Sequence, residues 1–136
     1  MALAAVLTQA LVSPALAAAF GLEKAGWTLV TASDDTYVYM RAARTDAPVR
    51  RVWTAYDSDK VLTRGALRFR SVESLSEYDC RRRLSRVVQE IFHEQPGLTG
   101  KRWPGADPLP TPWKAAAADS VGAVRMAFAC RALMAT

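Results

Sequence analysis

The sequence predicts an α+β fold: an antiparallel sheet built first, and a single C-terminal helix packed against it. Three observations lead there. From Trp27 to Cys80 apolar and polar residues alternate in short runs separated by turn-forming residues, which is the signature of half-buried antiparallel strands. From Asp119 to Leu133 the period changes to that of a helix. The chain's 2 cysteines, Cys80 and Cys130, fall one in each region, so that one bridge would pin the late segment onto the sheet.

The N-terminal run from Met1 to Phe20 has no charged residue. Its apolar stretch Ala2 to Val12, the break Ser13-Pro14 and the small-x-small triplet Ala15-Leu16-Ala17 read as a signal peptide over residues 1–17. It departs from the usual signal in lacking a positively charged start. A membrane anchor is the rival reading, opposed by the shortness of the stretch and by Pro14. No cysteine follows the cleavage point to carry a lipid, and no later segment is long and apolar enough to span a bilayer. Residues 18–25 then read as a linker and 26–134 as the one domain. Export places the protein in the periplasm or at the cell surface, where a Cys80–Cys130 disulfide forms and persists; two unpaired thiols are the alternative.

Trp27 to Val30 is the first strand and Asp34-Asp35 the turn after it. Thr36 to Met40 is the second, with Tyr37 and Tyr39 on one face. Arg41 to Pro48 is a polar connection, and Val49 to Tyr56 alternates as a third strand. Asp57 to Gly65, charged and ending in glycine, reads as an exposed loop or long hairpin connection. Leu67 to Val72 alternates strictly, with Leu67 and Phe69 inward and Arg68 and Arg70 outward, and Ser74 to Cys80 continues extended. Arg81 to Phe92 fits a strand and a helix about equally, because Leu84, Val87, Val88 and Ile91 also satisfy helical spacing. Gln95 to Pro112 is too rich in proline and glycine for long regular structure, although Lys101 to Trp103 could form a short strand. In the final helix Asp119 or Ser120 caps the first turn, Val121, Val124, Ala127 and Phe128 form the apolar stripe, and Arg131 complements the C-terminal dipole.

Little in the sequence carries chemistry. Two cysteines and 1 histidine do not make a zinc site, so no metal or other cofactor is expected. His93 could serve as a general base, but no nucleophile motif accompanies it, and a surface histidine at a strand end is the better reading. The densest positive charge is Arg81, Arg82, Arg83 and Arg86. Such a row could grip sulfate, phosphate or carboxylate groups; equally, it is a solvated strand face that guards against edge pairing, with one arginine joined to Asp79 or Glu77. A net charge of +5 on an exported protein points to anionic polysaccharide, lipid headgroups or acidic protein surfaces, with no nucleic acid as partner.

The residues Trp27-Thr28-Leu29-Val30, Thr36-Tyr37-Val38-Tyr39, Val52-Trp53-Thr54, Arg70-Ser71, Glu77-Tyr78-Asp79-Cys80 with Arg82, Arg83 and Arg86, then Trp113, Ser120 and Cys130, together resemble the surface-adhesin protein E family of small exported bacterial proteins. The likeness departs at Met40, where the family usually has aspartate, and at Ala118-Asp119-Ser120, where it has Pro-Gly-Ser. It implies an antiparallel sheet of about six strands, Arg81 to Phe92 included, with the C-terminal helix fastened to one face by the disulfide, sometimes assembled as a homodimer. It implies a non-enzymatic binding module that contacts host or extracellular-matrix proteins such as laminin and vitronectin, or an anionic polymer. A periplasmic structural or envelope protein without adhesive activity is the alternative.

Overall fold

The computed structural model describes residues 21–131. The signal peptide expected over 1–17 and the outermost residues of the expected linker and domain lie outside them. Strands β1 (Thr28–Ala32), β2 (Thr36–Met40), β3 (Val49–Arg64), β4 (Leu67–Asp79), β5 (Leu84–Gln95) and β6 (Thr99–Pro104) follow one another across the sheet in chain order. A two-residue strand, β7 (Lys114–Ala115), pairs with the part of β5 that β6 leaves free, and helix α1 (Val121–Arg131) closes the chain. Every pairing is antiparallel, and Arg81 to Phe92 is resolved as strand from Leu84 onward.

Strand periodicity places alternate residues on opposite faces, and both faces are covered. On one, Met40, Val52 and Tyr78 pack against Met126 and Ala129 of α1. On the other, Tyr39 and Ala55 pack against Leu22 and Trp27. Residues 21–24 are therefore a helical turn seated on the core, where composition suggests a linker. Its one large apolar side chain, Leu22, is buried, and Trp27 is core just ahead of β1. A third cluster joins Phe69, Val72 and Phe92, the two phenylalanine rings meeting edge to face at 4.7 Å.

The charged segment 57–65 is not a loop. β3 runs through it to Arg64, and the hairpin turns at Gly65 and Ala66, with the positive φ of 59° falling on the glycine. Most of the charge is offset by distant partners: Lys60 pairs with Asp35 at 3.0 Å, Arg64 with Glu90 at 2.8 Å, and one oxygen of Asp57 accepts the Gly97 amide at 2.7 Å. The helix is capped by Ser120, whose Oγ accepts the Ala123 amide at 3.1 Å. Its buried stripe is Met126 and Ala129, whereas Val121 and Val124 remain exposed, which corrects the stripe expected from apolarity alone. Small residues let α1 approach the sheet closely, and Cys130 fixes its rotation.

Asp57 is fully buried, and its Oδ2 has no hydrogen-bond partner. Burial pushes its carboxyl up, opposed by the Gly97 amide and by Arg70 and His93, and reinforced by Asp59. The Tyr39 phenol on the same face is pushed up to about 12, first by burial and then by Asp57, Glu23 and Tyr37. An acid with a raised folded pKa favours the folded state most below its ordinary value of 3.8, and that contribution is lost as pH climbs through the raised value. Asp57→Asn keeps the oxygen that Gly97 needs and cannot ionise. It should therefore stabilise the protein by about 1 kcal/mol or more at neutral pH, by removing a charge held away from water. Calorimetric melts of both proteins should show that advantage shrinking under acid conditions; an advantage independent of pH would contradict the assignment.

Candidate functional site

Two connections meet at one end of the sheet. Cys80 to Arg83 turns the chain from β4 into β5, and its Cys80 amide donates to the Pro48 carbonyl at 2.8 Å, so this turn lies beside the connection running from Arg41 to Pro48. Arg81, Arg82 and Arg83 sit on the turn and are exposed, so they form no strand face. Arg83 takes a left-handed conformation with φ 56°. Asp79 closes the turn, accepting the Arg82 amide at 3.0 Å and lying 3.9 Å from its guanidinium. Among the described residues Arg81 and Arg83 have no acidic partner.

Arg86 stands apart from the other three, on β5. Cross-strand register aligns Arg51, Glu77 and Arg86 in one row over β3, β4 and β5. Glu77 receives Arg86 at 2.8 Å on one oxygen and Arg51 at 3.2 Å on the other. Burial would raise the Glu77 carboxyl, but hydrogen bonds and charge from the two guanidiniums outweigh it and hold the group below its usual range. One carboxylate between two arginines leaves the row positive. Arg86 also lies 4.5 Å over the Trp113 ring, which fixes its plane.

The same face carries an open groove of about 600 Å³, walled by Arg41, Arg44, Arg51, Trp53 and Glu77. Arg41 stacks on Trp27 at 4.6 Å. Arg41, Arg44 and Arg51 thus extend the basic surface beyond the four arginines that are clustered in sequence. Sequence reasoning missed them because they come from a connection and a different strand. Strand parity, which puts Arg51 with Trp53, was the available signal.

The remaining sequence candidate moves the other way. His93 is buried, at 5 % exposure, because β6 continues the sheet beyond it. Register places it beside Ser71 and Ser71 beside Asp57, an arrangement that invites comparison with a catalytic triad. The bonding contradicts that comparison. Ser71 Oγ donates to the Gln95 carbonyl at 2.5 Å and accepts the Leu98 amide at 3.0 Å, while His93 Nε2 lies 3.0 Å from Glu73 Oε1. The serine is therefore tied to the backbone that closes the β5–β6 turn. Among the described residues no group of His, Cys, Asp and Glu is arranged to hold a metal ion, and no helix is long and apolar enough to cross a membrane.

Cys80 and Cys130 are joined, with their Cα atoms 5.6 Å apart, which fastens α1 to the end of β4 beside the arginine turn. No curated protein and no solved structure matches the chain. The family model described as Surface-adhesin protein E matches residues 27–131, from the core tryptophan ahead of β1 to the end of α1. That span contains the whole sheet, both bridged cysteines and the arginine-rich end, and the protein belongs to the surface-adhesin protein E family.

Proposed function

We propose that this protein is an exported, non-enzymatic binding module that grips an anionic partner, an acidic polysaccharide or an acidic patch on a matrix protein, through the arginine-rich end of its sheet. The observation that carries this reading is that the turn bearing Arg81 and Arg83, which have no acidic partner among the described residues, lies beside the connection that brings Arg41 and Arg44 to the groove with Arg51. Guanidiniums in fixed planes suit bidentate contacts to carboxylate and sulfate. Family membership supports an adhesin-like surface role, and the hydrogen bonds that occupy Ser71 support a non-catalytic one.

Immobilised heparin and laminin, titrated with the mature protein over a range of salt, test the reading. Binding should saturate and weaken as salt rises, because exposed charges are screened. Arg81→Gln combined with Arg83→Gln should lower affinity by about tenfold, equivalent to about 1.4 kcal/mol, without moving the melting temperature. Absence of saturable binding to either surface at low salt would overturn it in favour of a structural envelope role.

A further inference from the structure

A second cationic site lies on the opposite, helix-covered face of the sheet. Thr54, Ser76 and Tyr78 are all but fully buried there, the Tyr78 hydroxyl within reach of Thr54 and Ser76, and no group outside the three bonds to these hydroxyls. Arg125 projects from α1 into the same cluster. One of its terminal nitrogens contacts the Tyr56 hydroxyl, while its Nε is shielded from solvent and unpartnered. Among the described residues no carboxylate lies within ion-pair distance of this guanidinium. A half-buried charge without a counter-ion is costly, and Arg125 has only the Tyr56 hydroxyl and ring to offset it.

Ser76 and Arg125 of this cluster line a cavity of about 480 Å³ between α1, β5 and β7. Its cations are Arg125, Lys114 and Arg86, its hydroxyls include Ser76 and Ser85, and Trp113 forms one wall. None of its lining residues is acidic. The volume exceeds that of a bare ion and falls within the range of small-molecule sites, about 300 to 1,000 Å³. Lys114 is exposed, whereas Ser76 is buried, so charge is placed at the mouth and hydroxyl donors at the floor. Buried donors that converge on a cation without an acid suit a ligand that is acceptor-only and negatively charged.

We propose that this cavity binds a small oxyanion, the carboxylate or sulfate of a sugar-sized ligand, with Arg125 as its principal cation and Lys114 as the cation at its mouth. The site is separate from the arginine-rich end, sharing only Arg86, which Glu77 and Trp113 hold in place. Ser76 and Ser85, the serine hydroxyls of its lining, supply neutral donors to the anion's oxygens. The uncharged part of the ligand lies against Trp113.

The test is a calorimetric titration of the mature protein with glucuronate, sulfate and phosphate, with glucose as the uncharged control, while the side-chain N–H resonance of Arg125 is followed by NMR. At least one anion should bind and shift that resonance, and glucose should do neither; the anion preferred identifies the oxyanion group. Arg125→Gln should weaken binding by about tenfold or more. Because that change touches a packed helix, Lys114→Gln on the exposed strand is the second variant, and it should weaken binding by about threefold with unchanged melting. Arg81→Gln combined with Arg83→Gln should leave this binding intact, which separates its outcome from that of the basic end. No anion binding in the wild type, or binding that survives both Arg125→Gln and Lys114→Gln, would overturn the proposal.

Discussion

Replacing Cys80 and Cys130 together with alanine is expected to cost about 4 kcal/mol of stability, the loop-closure entropy of a bridge spanning 50 positions. The bridge is the only covalent tie between α1 and the sheet, and it joins the end of β4 to the last turn of the helix. Met126 and Ala129, the buried residues of α1, lie within one turn of Cys130, so loss of the bridge also loosens the packing that covers Met40, Val52 and Tyr78. Chemical denaturation of the wild type with and without reductant, alongside the double variant, measures the effect. Reduced wild type and variant should unfold at similar, lower denaturant concentrations than the oxidised protein. Equal midpoints in all three would show that the helix is secured by packing alone.

Arg50→Ala is expected to destabilise the fold by about 3 kcal/mol or more, since hydrogen bonds from a charged group each contribute about 1.5 to 3 kcal/mol when buried. Arg50 is one of the most deeply buried side chains, at 1 % exposure, and no acid pairs with it among the described residues. Its guanidinium donates instead to two carbonyls: Ala129 at 2.9 Å, near the C-terminal end of α1, and Ala47 at 3.0 Å, in the connection before β3. The first contact places a cation where the helix dipole is negative and where terminal carbonyls lack partners. The second fixes the connection that carries Arg44. Urea unfolding of Arg50→Ala, of the cysteine variant and of their combination forms a cycle. Both ties hold the same end of α1, so the combined loss should fall short of the sum. Strict additivity, or a loss below about 1 kcal/mol for Arg50→Ala, within reach of an ordinary neutral hydrogen bond, would contradict this role.

Much of the sheet was legible because period-2 alternation is a local property. Thr36 to Met40 matches β2, and the alternation of Leu67 to Val72 lies within β4. The strand in 57–64 was hidden by Asp57, Asp59 and Lys60, whose side-chain partners come from the β5–β6 turn, β2 and the β1–β2 turn and so lie far away in sequence. The helix was legible in position but not in rotation: Val121, Val124 and Phe128 made the more apolar stripe, yet Met126 and Ala129 are buried. At the candidate site, the run Arg81 to Arg86 was conspicuous as a cluster, whereas its division was not. Register and turn geometry tie Arg86 to Glu77 and Arg82 to Asp79, and leave Arg81 and Arg83 to solvent.

From its amino acids alone, this protein's α+β class, most of its strands and its single disulfide could be inferred, because alternation, helical period and a cysteine count of 2 act locally or admit one pairing. Tertiary structure alone decided which face α1 buries, that Arg50 lies beneath it and Arg125 beside the cavity at its edge, and that Arg41, Arg44 and Arg51 join the basic end. The reason is physical. A periodic pattern shows that a face exists, but what covers that face, and which charges it brings together, depends on contacts between residues remote along the chain.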